Sequence, residues 1–237
     1  MERTLVLKDI CKSFGKTRVL DGLSMTAETG VNGLLGANGA GKTTLLRILA
    51  TVLSADSGTI GFDGVSWRQK KNAQALIGYL PQSFNMYPLV TVREMLRHIA
   101  CMKEIPAKRI ESEVSRVIGL TNLGREEKKR IAHLSGGMLR RLGAAQCLLG
   151  DPPILLLDEP TVGLDPSEQI RFRQIMRDMA EDHVVLFSSH IVSDLEAVCD
   201  RYAILADGRI RVAGDLPLAG QCTLEEMYME YAGGNDQ

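Results

Sequence analysis

The stretch Gly36-Ala-Asn-Gly-Ala-Gly-Lys-Thr43 constrains this chain more than any other part of it. It fits GxxxxGK[ST] and stands between an apolar strand-like run, residues 31–35, and a run of helical period, LLRILATVL. Glycines let successive backbone N–H groups wrap an anion, and a helix starting there adds the positive end of its dipole. Gly36, Asn38, Gly39, Ala40, Gly41, Lys42, Thr43 and Thr44 are therefore expected to line a phosphate site. Lys42 would neutralise the outer phosphates, and Thr43 would offer its hydroxyl to Mg²⁺. The plain alternative, a glycine-rich turn into an ordinary helix, is disfavoured by the flanking strand and helix.

Around this loop the pattern is that of an α/β chain. Short β-rich runs at 4–7, 19–26 and 58–62, separated by turns at 13–16 and 54–57, suggest an antiparallel beginning. From Pro81 to Gly150 the character turns helical, with a capping box at Thr91 and Glu94, a helix over 108–118 and another over 137–150. Buried strands at 154–158, 184–188 and 202–206 then alternate with helices at 166–182 and 192–199, the pattern of a parallel sheet covered on both faces. The expected organisation is a core made of 1–82 and 151–222, with an antiparallel β subdomain, and an inserted helical subdomain at 83–150. At 223–237 a short C-terminal helix, opened by a second capping box at Thr223 and Glu226, should run into a fraying GGNDQ tail.

The run Ile154-Leu-Leu-Leu-Asp158-Glu159 is an apolar strand ending in two acids. At the carboxyl edge of a parallel sheet, behind a phosphate loop, Asp158 is the expected Mg²⁺ partner. Glu159 is the expected base for the water that attacks the last phosphate. Alone, such a pair would more often begin a loop. With 237 residues, 45% apolar and 24% charged, the chain can bury a sizeable core, and a formal net charge of -1 argues against nucleic acid as a partner. Five scattered cysteines without a CxxC pair read as reduced, mostly buried thiols. Neither a signal region nor a run of about 20 apolar residues is present, so direct membrane insertion is not expected.

Phosphate loop and acidic strand end are shared by P-loop kinases and small GTPases. The further elements are more specific: Leu134-Ser-Gly-Gly-Met138, Gln82 in YLPQ, Gly163-Leu-Asp-Pro166 and His190 in SSH, in that family's order, resemble the ATPase subunits of ABC transporters. The resemblance runs from Phe14 to the turn near Asp207. It implies a P-loop NTPase (RecA-like) fold that binds ATP and Mg²⁺ and works as a head-to-tail homodimer or heterodimer beneath a separate integral membrane permease. Phe14 then matches the aromatic that stacks on adenine, Gln82 the glutamine that contacts Mg²⁺ or the attacking water, and His190 the histidine that reaches the γ phosphate. The implied catalytic group is Glu159, His190, Gln82 and Lys42, with Thr43, Gln82 and Asp158 about the metal.

Ser135, Gly136 and Gly137 precede a helix, so their hydroxyl and N–H groups can hold phosphate. In the family such residues act on the partner's nucleotide, and Asp165 helps to connect the two sites. Met138 where the commonest motif has Gln is a departure expected to alter affinity without loss of activity, and Ala37 where Pro is frequent is one that the backbone cradle should tolerate. About fifty residues between Gln82 and Ser135 leave no room for the coiled-coil arm of repair ATPases, and a single ATPase domain differs from translation factors. Transport, with export favoured by the stretch from SSH to DGRI, is the expectation, and a soluble regulatory ATPase the alternative. The resemblance places the protein in the cytoplasm, peripheral on the membrane through the permease.

Overall fold

The computed structural model describes residues 3–218 and 222–232. In chain order the elements are β1 (Thr4–Phe14), β2 (Thr17–Glu28), β3 (Gly30–Leu35), α1 (Lys42–Leu49), β4 (Ser57–Phe62), β5 (Val65–Ser66), α2 (Lys70–Ala75) and β6 (Ile77–Leu80). The helices α3 (Val92–Met102) and α4 (Ala107–Leu120) follow, then a 3₁₀ turn at Ile131–His133 and α5 (Gly136–Leu148). The chain continues through β7 (Ile154–Asp158), α6 (Pro166–Ala180), β8 (Val184–Ser189), α7 (Val192–Val198), β9 (Arg201–Ala206), β10 (Arg209–Asp215) and α8 (Leu224–Ala232).

Two sheets result. The antiparallel sheet runs β2-β1-β4-β5; the six-stranded sheet runs β10-β9-β3-β8-β7-β6, parallel throughout except for β10. Apart from half-buried Gly30 every residue of β3, and all those of β7 and β8, are buried, which is why these segments are near-continuous apolar runs. Alternate side chains feed two separate cores. Val31, Leu35, Leu155, Leu157, Val185 and Phe187 face the helices α3 to α7, whereas Leu34, Ile154, Leu156, Val184 and Leu186 face α1 and the antiparallel sheet. The six-stranded sheet is thus the shared wall of both layers, and its carboxyl edge, where β3 and β7 end, is where side chains are free to do chemistry.

The helical insertion is docked on the core by close approach, and its own helices are tied together by charge. A Cβ on Gly78 would stand 2.3 Å from the carbonyl oxygen of Cys147, and one on Gly143 would stand 2.5 Å from Leu80 Cδ1, so α5 lies hard against β6. At the far end of α5 the Lys103 ammonium donates to the carbonyls of Gln146, Cys147 and Leu149 at 3.2, 3.3 and 2.8 Å, and Arg116 donates to Leu148 O at 2.8 Å. These cations satisfy the orphan carbonyls of the helix terminus.

Several details differ from the sequence reading. The first strand extends through residue 14 because Asp9, at φ 51, absorbs a register shift without ending the strand, and the turn after it shrinks to Gly15 and Lys16. The strand β6 and the short β5 and α2 lie in stretches without clear periodicity, and β10, which alternates between exposed and half-buried residues, is an addition to the turn expected near Asp207. The thiols are all free, but only Cys147 and Cys199 are buried; Cys11 is half-buried, and Cys101 and Cys222 are exposed on the helix α3 and just before α8. Both capping boxes are formed, Thr91 with Glu94 and Thr223 with Glu226, and Leu224 at the start of α8 is fully buried against the core. The GGNDQ segment lies outside the described residues. Among the described residues no helix is long and apolar enough to cross a membrane.

Candidate active site

A cleft of about 670 Å³ opens where β3, β7 and β8 end, lined by Phe14, Asn38, Gly39, Lys42, Thr43, Thr44, Gln82, Glu159 and His190 among others. Each wall has a local cause. Gly41, at φ 109, carries a backbone turn that L side chains rarely adopt; a Cβ there would also press on Leu20 and Val19, so the loop can enter α1 only through glycine. A two-residue hairpin, in which Phe14 pairs with Thr17 and Gly15 has φ 59, puts Phe14 at the rim with its ring half exposed; Lys12 Nζ stands 5.5 Å from that ring. A stacking partner for a flat heterocycle needs such an open aromatic face.

Lys42 folds into its own loop, donating to the carbonyls of Gly36 at 2.7 Å and Ala37 at 3.1 Å, and lies 3.5 Å from Glu159 Oε1. Burial lowers its ammonium pKa, and the Glu159 carboxylate opposes that shift. An anion entering the loop would therefore meet a cation already held in place and only partly compensated.

At the end of β7 the Asp158 carboxylate is fully buried. Its Oδ1 accepts from Thr43 Oγ1 at 3.2 Å and from Ser188 Oγ at 2.8 Å, while its Oδ2 has no hydrogen-bond partner. Burial raises its pKa above the ordinary aspartate value, against the pull of both hydroxyls. A buried carboxylate oxygen left unpaired is costly and asks for a cation. One carboxylate beside one hydroxyl fits Mg²⁺, which keeps several waters and takes phosphate oxygens.

Glu159 adopts φ 46, a conformation uncommon for a side-chain-bearing residue, and its N–H donates to Ser188 O and Ser188 Oγ at 3.2 and 3.0 Å. That turn points the carboxylate away from β7 into the cleft, where it accepts from Gln82 Nε2 at 3.0 Å and faces His190 Nδ1 at 3.3 Å. Residues from β3–α1, β6, β7 and β8, far apart in sequence, thus converge on one carboxylate, which has the position and neighbours of a general base.

The structure brings Phe14, the loop residues 36–44, Gln82, Asp158, Glu159 and His190 together. Ser135, Gly136, Gly137 and Asp165 do not line this cleft. Ser135 instead caps α5 by accepting from Met138 N at 3.2 Å, and Asp165 caps α6 by accepting from Glu168 N at 2.9 Å. The two caps are neighbours in space, because a Cβ on Gly137 would stand 2.4 Å from Glu168 Cδ. Two site residues carried no signal of their own in the sequence. Ser188 was legible only as the residue two before His190, and Arg140 only as a charge on α5; it donates to the carbonyls of Pro81 and Gln82.

Residues 20–162 match the ABC transporter family. An uncharacterised ABC transporter ATP-binding protein of Bacillus subtilis, YxlF, is 38% identical over 90% of this chain and 71% of its own length. The Nod factor export ATP-binding protein I of Paraburkholderia xenovorans is 36% identical over 92% of this chain and 72% of its own. Among solved structures an ATP binding subunit of an ABC transporter superposes with a TM-score of 0.83 at 26% identity, covering 96% of this chain and 98% of that one. A dimeric ATP-binding cassette in a post-hydrolysis state with ADP and Pi shares the fold, with a TM-score of 0.78 at 22% identity over 90% of this chain and 98% of its own.

Proposed function

Because this chain belongs to the ABC transporter family, as one of its ATP-binding, ATP-hydrolysing subunits, we propose that it closes as an ATP-sandwich dimer and drives a separate membrane permease in the direction of export. The observation that carries the reading is the Glu159 carboxylate, held at the end of β7 by Gln82, His190 and Lys42 at the mouth of a phosphate loop. In this reading Phe14 stacks on adenine, the loop N–H groups from Gly36 to Thr44 and the Lys42 ammonium hold the phosphates, and His190 reaches the last of them. Glu159 orients the attacking water and takes its proton.

Thr43 and Asp158, with Gln82 nearby, would hold Mg²⁺, whose charge when bound offsets that of the phosphates. The absence of Ser135, Gly136, Gly137 and Asp165 from the cleft supports their acting on a second subunit's nucleotide: the hydroxyl and N–H groups at the start of α5 are available to a phosphate that this chain's own loop does not supply. Nucleotide then becomes part of the interface, so binding closes the dimer and hydrolysis releases it. Export is supported by the likeness to proteins named for Nod factor export. The permease sets the cargo.

The test is to tag the Glu159→Gln variant in its native cell, solubilise the membranes gently with ATP present and identify what co-purifies. A stoichiometric polytopic membrane protein is expected. Soluble partners alone, with none of the chain in the membrane fraction, would replace the transport reading with that of a soluble regulatory ATPase.

A further inference from the structure

The helix α5 begins with the residues that reach for a second subunit's nucleotide and, one turn on, carries Arg140. The guanidinium of Arg140 donates to Pro81 O at 3.2 Å and to Gln82 O at 2.6 Å, and its centre stands 5.9 Å from the Phe84 ring. Both accepting carbonyls belong to the segment that leaves β6, and the side chain of the second accepting residue, Gln82, donates to Glu159 Oε2. Burial lowers the Arg140 pKa, with the carboxylates of Asp158 and Glu159 opposing the shift, so this cation also stands within the field of the acidic pair.

We infer that Arg140 is a positioning residue for hydrolysis: by gripping the carbonyls of Pro81 and Gln82 it sets the Gln82 amide on Glu159. The inference rests on the reading of Glu159 as base and adds to it the group that fixes the base's neighbour. The physical case is one of geometry. A planar guanidinium with two parallel N–H groups fixes both the place and the orientation of the carbonyls it grips, which a point charge cannot do. The Gln82 side chain is otherwise exposed and has three rotatable torsions, so the direction of its amide depends on how firmly its backbone is held. Its target, Glu159, is held in an uncommon backbone conformation and is also engaged by His190 and Lys42, contacts it would have to give up to follow a shifted partner. A displacement of about 1 Å at such a contact costs up to about 100-fold in rate. The same grip makes α5 and the catalytic carboxylate mechanically continuous: a shift of Ser135–Gly137 on engaging nucleotide moves Arg140, hence Gln82, hence the amide that restrains Glu159.

The experiment is single-turnover ATP hydrolysis by the purified full-length chain, in excess over ATP and Mg²⁺-loaded, which resolves slow reactions. The variants are Arg140→Met, Arg140→Lys, Gln82→Ala and the double Arg140→Met/Gln82→Ala, with Glu159→Gln alongside. Arg140→Met is expected to lower the hydrolysis rate about 10- to 100-fold with ATP affinity within about twofold of wild type, because no phosphate-loop group is touched. Arg140→Lys should recover part of the rate. In the Gln82→Ala background, removing Arg140 should cost nothing further, since its action passes through the lost amide. Multiplicative losses in the double variant, or an Arg140→Met rate equal to wild type, would overturn the inference. Should Arg140→Met fail to fold, as judged by its thermal transition, Arg140→Gln takes its place and the same cycle decides. Fast hydrolysis by Glu159→Gln would instead remove the underlying reading of the site, which separates the two failures.

Discussion

Ser188 Oγ donates to Asp158 Oδ1 across 2.8 Å and so fastens the end of β8 to the end of β7, leaving Asp158 Oδ2 buried with no partner. Asp158 is therefore set for a ligand rather than for the stability of the empty protein.

Asp158→Asn should make the nucleotide-free protein more stable at neutral pH while weakening Mg²⁺-dependent nucleotide binding. The asparagine carbonyl can still accept from Thr43 and Ser188, and the buried charge is gone. The sign follows from the raised pKa of Asp158. The wild-type folded state holds its proton to higher pH than the unfolded chain does, so wild type loses stability as pH rises from the ordinary aspartate value through the raised one. The variant does not titrate there. Its advantage should be about 2–4 °C in Tm at pH 7, equivalent to about 1 kcal/mol, and should shrink on acidification. Thermal melts of both proteins across pH, without and with Mg²⁺ and ATP, check it; a variant less stable than wild type at every pH refutes it.

Glu159→Gln should bind ATP as wild type does and turn it over at least about 100-fold more slowly. The carboxamide keeps the shape that Gln82 and His190 surround but has no basic oxygen for a proton. Equilibrium nucleotide binding with single-turnover hydrolysis separates the two quantities, and near-normal turnover would remove Glu159 as the base.

The parts of this site that the sequence displayed are those in which one local segment carries its own reason. Gly41 must be glycine to turn at φ 109, and an apolar strand must end where Asp158 begins to be useful. The core could be read from alternation and apolar runs because β3, β7 and β8 are buried on both faces. Gln82, Phe14 and His190 had no such local reason and were legible only through a family's order of motifs. Ser188 reaches a carboxylate 30 residues away, and Arg140 two carbonyls 59 and 58 residues away, relations that no periodicity encodes. The strand β6 was missed for a similar reason: four residues long, it is defined by its pairing with β7 and by the close packing of Gly78 on α5. The cysteines misled because composition gives an average burial, whereas Cys101 and Cys222 fall on the solvent side of their segments.

Lys103→Met should lower stability by about 1–3 kcal/mol, or roughly 2–12 °C in Tm. The methionine fills similar volume along the stem but leaves the carbonyls of Gln146, Cys147 and Leu149 without their cation at the C-terminus of α5. Burial already lowers the Lys103 pKa, so the ammonium is held at a cost that those three contacts help to offset. ATP affinity should change little, since nothing in the phosphate loop is touched. An unchanged Tm would mean that Arg116 alone suffices to cap the helix.

The trans arrangement of the two sites can be decided by mixing subunits. Ser135 and Lys42 lie in different parts of this chain, the first capping α5 and the second inside the phosphate loop. If each ATP is held by one subunit's Lys42 and the other's Ser135, homodimers of Ser135→Arg and of Lys42→Ala are both inactive. A mixed dimer, however, has one site with both defects and one with neither. Random pairing of equal amounts should then restore up to about a quarter of the wild-type rate, half of the dimers being mixed and each having one intact site. If both groups served the nucleotide of their own subunit, every site in the mixture would carry one defect and no activity would return. Steady-state hydrolysis across a titration of one variant into the other reads this directly: a maximum at equal amounts is expected, and a flat line at the homodimer level would dismiss the sandwich.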